Sequence, residues 1–267
     1  MPGKEEAVEQ KFFSIEHRDK VWILTINRPE VLNALNFELL KNLKKAFLRF
    51  KQDPNARILI LTGQGEKAFC AGADIQELRG RHIVDEKQGM LLGQETFNTL
   101  EEIGKPSIAA INGYALGGGL EMALACTFRL ASPNARLGLP EINLGLIPGY
   151  GGTQRLTRLV GQAKALQMIL TGKPIKAEEA MQFGLIYKMT AQEKLMDECL
   201  SLADQLCQYS PLTISLAMES VLRGRDVPLK EGLVLEADLG TIAYNTEDGR
   251  EGLAAFVEKR APKFKGR

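Results

Sequence analysis

Ser107-Ile-Ala-Ala-Ile-Asn-Gly-Tyr-Ala-Leu-Gly-Gly-Gly-Leu-Glu121 is the stretch around which the rest of the chain is read. Residues 108–111 are a short apolar run of the kind that forms a buried strand. Asn112-Gly113 breaks the run, three glycines follow, and residues 120–125 resume as a helix. Glycine at a strand–helix junction permits a sharp turn and lets a ligand approach the backbone. The first amides of the helix have no intrahelical acceptor and sit at the positive end of its dipole. The turn therefore suits a negative oxygen, although glycines at 117–119 could equally serve only to pack strand against helix. Two nucleotide readings fail on the residues themselves. The glycines run Gly117-Gly-Gly-Leu-Glu-Met122 rather than Gly-x-Gly-x-x-Gly, and no Lys-Ser or Lys-Thr follows them as a P-loop requires. Glu121 makes a reacting carbonyl a better guest than a phosphate.

Upstream, residues 12–16 and 21–27 read as paired strands across the polar turn His17-Arg-Asp-Lys20. Asn36 is an N-cap for a helix in which Leu39, Leu40, Leu43, Ala46, Phe47 and Phe50 recur at helical spacing, and Pro54 stops it. Residues 58–62 form a continuous apolar run, the mark of a strand buried on both faces, and 68–70 form another short strand. A helix begins within 71–78, residues 80–90 read as a polar mobile loop, and a further helix runs to Ile103. Downstream come a strand at 128–131 and then mostly helices, at about 155–159, 162–171, 177–182, 191–208, 212–223, 229–244 and 249–259. One strand, 185–189, intervenes. The composition shift near 190 divides a strand-and-turn region, 1–190, from a helical region, 191–267. This pattern is α/β with a helical appendage.

At 267 residues, 45% apolar and 25% charged, the composition is that of an ordinary globular protein. A net charge of +1 gives no global field favouring nucleic acid or an anionic membrane. Cys70, Cys126, Cys199 and Cys207 lack Cys-x-x-Cys spacing, and His17 and His82 are the only histidines. No metal site and no catalytic histidine is expected; reduced cysteines in a cytoplasmic protein fit better. The start Met1-Pro-Gly-Lys-Glu-Glu6 lacks an apolar signal core, and no apolar run reaches membrane-spanning length.

Two further segments carry chemistry. In Phe69-Cys-Ala-Gly-Ala-Asp74 a strand ends at small residues before a helix, which is expected to leave the amide of Ala71 unpaired. Two such amides from separate turns would make an oxyanion hole for a thioester or ester carbonyl; the alternative is a tight turn capped by Asp74. Glu141, in Leu139-Pro-Glu141, is either a helix-start residue or an acid/base. With Glu121 it could hold one water, one carboxylate accepting a proton while the other donates.

These segments, in order, resemble the crotonase (enoyl-CoA hydratase/isomerase) family from Leu24-Thr-Ile-Asn-Arg-Pro29 to Phe256-Val-Glu-Lys-Arg260. The matches are Asn33-Ala-Leu-Asn36, Ala68-Phe-Cys-Ala-Gly-Ala-Asp-Ile75, Ile111 to Glu121, Pro140-Glu141 and Ile147-Pro-Gly-Tyr-Gly-Gly-Thr-Gln-Arg-Leu156. The resemblance implies a spiral of strand–strand–helix (ββα) turns with a C-terminal helical trimerisation region, assembled as a homo-trimer or hexamer. It implies an enoyl-CoA hydratase, as in fatty-acid β-oxidation, with coenzyme A entering as part of the substrate and no other cofactor. Glu121 and Glu141 would be catalytic, the amides of Ala71 and Gly118 the oxyanion hole. Ala71, Gly72, Ala73, Asp74, Ile75, Gly117 and Gly118 would line the acyl path, and Val31, Leu32 and Ala34 would approach coenzyme A. Two departures stand out: Leu139 where many members have Gln, and Gly240 where members often carry a bulky aromatic. An isomerase, a hydratase for branched or methylglutaconyl-type substrates, and an RNA- or protein-binding module using the basic tail 259–267 remain as alternatives.

Overall fold

A computed structural model describes residues 6–267; Met1 to Glu5, part of the start read as lacking a signal core, lie outside the described residues. The strands are β1 (Glu6–Gln10), β2 (Phe13–Arg18), β3 (Val21–Ile26), β4 (Ile58–Gly63), β5 (Ala68–Cys70) and β6 (Ser107–Ile111). They continue with β7 (Tyr114–Leu116), β8 (Phe128–Ala131), β9 (Arg136–Gly138), β10 (Ile175–Lys176) and β11 (Lys188–Met189). One sheet has the order β1-β2-β3-β4-β6-β8-β11, and a second has β10-β9-β7-β5. β1–β2 and β2–β3 are antiparallel; from β3 onward the first sheet is parallel.

Successive pairs give one strand to each sheet, β4 then β5, β6 then β7, β8 then β9. Each pair leads into helix: α1 (Phe37–Gln52) precedes the first, then α2 (Ile75–Leu78) and α3 (Ile83–Glu101), α4 (Gly118–Leu124), and α5 (Gly152–Val160). This is the ββα spiral. Its core is continuous: every residue of β4 and β6 is buried, and Leu39, Leu40, Leu43, Phe47 and Phe50 of α1 are fully enclosed. Asn36 caps α1 as expected, its side chain accepting from Leu39 N at 2.7 Å.

Three expectations need correcting. Most of the loop expected at 80–90 is helical, because α3 starts at Ile83. His82 accepts from Val84 N and acts as its N-cap, and Asp85 and Glu86 place negative charge in the first turn, where the dipole favours it. His17 lies in β2 rather than in a turn, its ring edge-on to Trp22 at 4.5 Å. The strand expected at 185–189 shrinks to β11, because Leu185 N and Ile186 N donate to Ala180 O at the end of α7 (Ala177–Gln182).

After α6 (Gln162–Thr171) and α7 comes α8 (Leu195–Cys207), and the chain divides within it into two compact units, the second being Ser201–Arg267. The second unit contains α9 (Pro211–Gly224), α10 (Leu229–Asn245) and α11 (Glu247–Val257). Its C-terminal tail folds back onto α11. Asp248, 2% exposed, accepts from Lys265 N (2.6 Å) and Gly266 N (2.8 Å), and its own N–H donates to Arg267 O. Arg260 meanwhile grips Glu251 at 2.6 and 2.9 Å. Among the described residues no helix is long and apolar enough to cross a membrane.

Asp248→Ala should leave two tail amides without their acceptor and cost roughly 2–4 kcal/mol. A lower denaturant midpoint with an unchanged slope is the expected readout; an unchanged midpoint would mean that the tail adds nothing to stability.

Candidate active site

The N-terminus of α4 is built from close backbone contacts. Gly117, at φ 50°, precedes the helix in the left-handed region, where a side chain is strained. A Cβ on Gly119 would overlap the carbonyl of Cys70. A Cβ on Gly72 would lie 3.7 Å from Gly118 N, so the 70–74 turn abuts the first amide of α4.

The 70–74 turn is held by a short ladder from 32–35. Ala71 N donates to Leu32 O (3.0 Å), Leu35 N to Gly72 O (2.8 Å) and Asp74 N to Leu35 O (2.8 Å). The Ala71 amide is therefore occupied, which corrects the expectation that it is unpaired. Its acceptor is presented because Leu32 and Asn33 both take left-handed backbone conformations, φ 53° and 59°. In the parallel bridge of Leu35 with Ala73, the bonds run to the residues flanking Ala73. The Ala73 amide faces the opposite edge of the segment and takes no part in the ladder.

Asn33, 1% exposed, fixes this geometry by accepting from Arg28 N (3.0 Å) and donating to Gln64 O (3.1 Å) and Ala68 O (2.8 Å). Arg28 also pairs with Asp74 at 2.9 Å, both side chains largely buried. The Asp74 carboxylate thus holds the turn and caps α2 through Gln76 N. Val31, Leu32 and Ile75 are exposed, and Ala34 is buried.

Glu121 is 2% exposed, and its Oε1 accepts from Tyr150 N (2.8 Å) and Gly152 N (2.7 Å). Burial pushes its pKa up from 4.5 to about 7 against the pull of the Gly152 amide; the charge of Glu141 adds to the rise, and the Tyr150 amide and Arg155 oppose it. Leu139, fully buried, forms part of the apolar wall: a Cβ on Gly152 would lie 2.9 Å from Glu121 Cγ and 3.1 Å from Leu139 Cδ1. Here lies the consequence of Leu139 in place of an amide side chain.

Glu141 sits in the 3₁₀ turn Pro140–Leu144, and its Oε1 would lie 3.0 Å from a Cβ on Gly117. Its Oε2 is buried with no hydrogen-bond partner, and burial raises its pKa. A buried carboxylate oxygen left without a donor is costly, and such groups gather at functional sites. The fold thus brings together Glu121, Glu141, Gly117, Gly118, Gly72 and Ala73. Gly240 lies in the second unit, with open space beside it.

The Enoyl-CoA hydratase/isomerase family model matches residues 16–267. The chain belongs to this family. Among relatives of the enoyl-CoA hydratase/isomerase family, it is 42% identical over 246 residues to the short-chain-enoyl-CoA hydratase of Clostridium acetobutylicum, covering 92% of this chain and 94% of that one. The crotonyl-CoA hydratase of Syntrophomonas wolfei is 40% identical, with 94% and 96% covered. The crystal structure of an enoyl-CoA hydratase from Bacillus anthracis superposes with a TM-score of 0.92 at 39% identity, covering 96% of this chain and 100% of that one. The crotonase-like α/β fold expected from the sequence is the fold of this family member too.

Sequence reasoning missed how Glu121 is held. The two amides come from loop 149–152, whose Gly149-Tyr-Gly-Gly152 was legible as a motif but not as a carboxylate cradle.

Raising a carboxyl pKa on folding means stability that is present below pH 4.5 and lost as pH rises through about 7. Glu121→Gln keeps an acceptor for both amides and cannot ionise. The variant should therefore be more stable than the parent at pH 8, by up to roughly 3 kcal/mol, with the difference fading by pH 5. Melting curves at the two pH values check this, and a variant less stable at pH 8 would contradict the burial penalty.

Proposed function

We propose that this protein adds water reversibly across the double bond of a 2-enoyl-CoA to give a 3-hydroxyacyl-CoA. The observation that carries the reading is a pair of carboxylates, the buried Glu121 and the half-buried Glu141 with its Oε2 enclosed, beside the amide-bearing N-terminus of α4. The names of the relatives from Clostridium acetobutylicum and Syntrophomonas wolfei support a short-chain substrate. No cofactor beyond the coenzyme A of the substrate enters this reading, and reduced cysteines fit a cytoplasmic setting.

Hydration is difficult because attack at C3 drives charge onto the thioester oxygen. We assign that oxygen to the amides of Gly118 and Ala73, the latter replacing Ala71; donors fixed where charge develops are each worth about 3 kcal/mol of barrier. Glu121 takes one proton from the water as its oxygen bonds to C3. The C=C electrons pass to the thioester oxygen, and the enolate collapses as C2 takes a proton from Glu141. One proton enters the pair and one leaves, so net water is added. Transfer between the two carboxyls through the next water restores the starting state. Val31 and Leu32, exposed beside the 32–35 ladder, and the buried Ala34 are assigned to the coenzyme A side; Gly72, Gly117 and Ile75 to the acyl path.

The alternatives are less well supported. An isomerase needs a single proton shuttle, whereas two carboxylates, one buried and one half-buried, lie here. A substrate bearing a second carboxylate stays open within the family: the (E)-benzylidenesuccinyl-CoA hydratase of Thauera aromatica is 39% identical. The basic tail offers little to RNA, since Arg260 binds Glu251 and Glu258, and Lys265 and Arg267 approach Glu247. A homo-trimer or hexamer fits the second unit, where Val221, Leu229, Val234, Ile242, Phe256 and Val257 are exposed apolar residues.

Following loss of the conjugated-enoyl absorbance, Glu121→Gln and Glu141→Gln should each lower kcat by about 10²–10⁴ with little change in KM. The double variant should lose less than the product of the two; near-parental turnover in either single variant would remove the two-carboxylate mechanism. Light scattering at micromolar concentration should give at least a trimer, and a monomeric mass would sink the assembly reading.

A further inference from the structure

Among the described residues Arg155, its side chain 9% exposed, is the cation whose charge opposes the rise in Glu121's pKa, and its contacts explain how it is held there. It sits in α5, three residues after the Gly152 amide that Glu121 accepts from. Its guanidinium turns back to Tyr150 O (Nη1, 3.2 Å), the carbonyl lying between the two amides that hold Glu121. The other donors reach the last turns of α3: Nε to Glu101 Oε2 (2.9 Å) and Nη2 to Asn98 Oδ1 (2.6 Å). With side-chain exposures of 9% and 15%, Arg155 and Glu101 form a mostly buried ion pair at 2.8 Å. A lysine could not replace this fork, because its three donors share one nitrogen and cannot span a carbonyl, an amide oxygen and a carboxylate that three separate guanidinium nitrogens reach.

We propose that Arg155 is a positioning residue for Glu121: it clamps loop 149–152 so that both amides stay on the carboxylate, and its charge keeps that carboxylate ionised as the base. The proposal rests on the reading of Glu121 as the base of hydration. The charged and titratable groups facing Glu121 are Glu141 from the Pro140–Leu144 turn, Arg155 from α5, and the Tyr150 hydroxyl from loop 149–152. Glu141 opposes ionisation and Arg155 favours it, while the Tyr150 hydroxyl stays protonated because burial holds its pKa above the ordinary value. Glu101 tempers Arg155 from α3.

The test is the pH profile of kcat/KM with crotonyl-CoA, alongside melting temperature, for the full-length protein. A base must be ionised, so losing the cation should move the acid limb upward. Arg155→Met, which removes the charge and loosens the two amides, is expected to raise it by up to about one pH unit. It should also lower kcat at neutral pH roughly tenfold, since the loop loses its clamp, and change KM by less than about threefold. Arg155→Lys should lower kcat while leaving the limb near its parental position, because the charge stays and the fork is lost. Glu101→Gln keeps an acceptor and removes the opposing charge, so its limb should move to lower pH.

A merely structural arginine would lower the melting temperature and leave every limb where it is; that outcome overturns the proposal. Should Arg155→Met not fold, the opposite direction expected of Glu101→Gln still decides, and an unmoved or raised limb there defeats it. Glu121→Gln separates the two levels. Turnover retained in that variant defeats the base assignment, whereas its loss together with unmoved limbs in the Arg155 and Glu101 variants defeats only the role of Arg155.

Discussion

Burying a carboxylate is the constraint on which the site depends. Glu121 sits inside α4 among fully enclosed residues, and burial alone would push it toward the neutral form. What keeps the charged form within reach is local: two amides of loop 149–152 and the field of Arg155. Those amides arrive only because glycines allow it. Gly151, at φ 109°, turns the loop, and Gly152 leaves room beside Glu121 Cγ. Leu139 then closes the apolar side, so the position that departs from many family members tightens the burial instead of relieving it.

The same economy governs the oxyanion turn. Holding Leu32 and Asn33 in the left-handed region costs of order 1–3 kcal/mol each, and such strain persists only where the surroundings fix it. Three hydrogen bonds from the Asn33 side chain and the Arg28–Asp74 ion pair do so. The return is a ladder that occupies Ala71, pins Gly72 beside Gly118 N together with Asp74, and leaves the Ala73 amide turned away from it. Strain at 32–33 and an available amide at 73 are two ends of one structure.

Legibility in the sequence followed how local each cause was. α1 could be read to its cap, because Asn36 and the 3.6-residue spacing of Leu39, Leu43 and Phe47 act within one helix. β4 and β6 could be read as buried strands from their composition alone. β7, β9 and β10, only two or three residues each, exist through pairing with distant partners and leave no periodic signal. Glu121 and Glu141 stood out as carboxylates beside glycine-rich or apolar segments. That the Ala71 amide is occupied, contrary to expectation, depends on a ladder to residues some 40 positions earlier, which spacing within Phe69 to Asp74 cannot reveal. Arg155 reads as an ordinary helix residue until Glu101 and Asn98, 54 and 57 positions before it, are brought alongside.

The acid and base roles proposed for the two carboxylates rest on how differently they are satisfied. Burial raises both, and the charge of Glu141 adds to the rise at Glu121, so near neutrality the pair favours sharing a single proton. Glu121 Oε1 is met by two N–H donors, which stabilise an anion and offer nothing to a neutral acid's proton. Glu141 Oε2 is enclosed with no donor at all, an arrangement that favours a protonated carboxyl able to donate outward. The carboxylate held by two amides is the better proton acceptor, and the one met only by its own backbone amide, with Oε2 unpartnered, is the better donor. Under the proposed hydration that asymmetry serves C3 and C2, and the backbone of loop 149–152 builds it into the site.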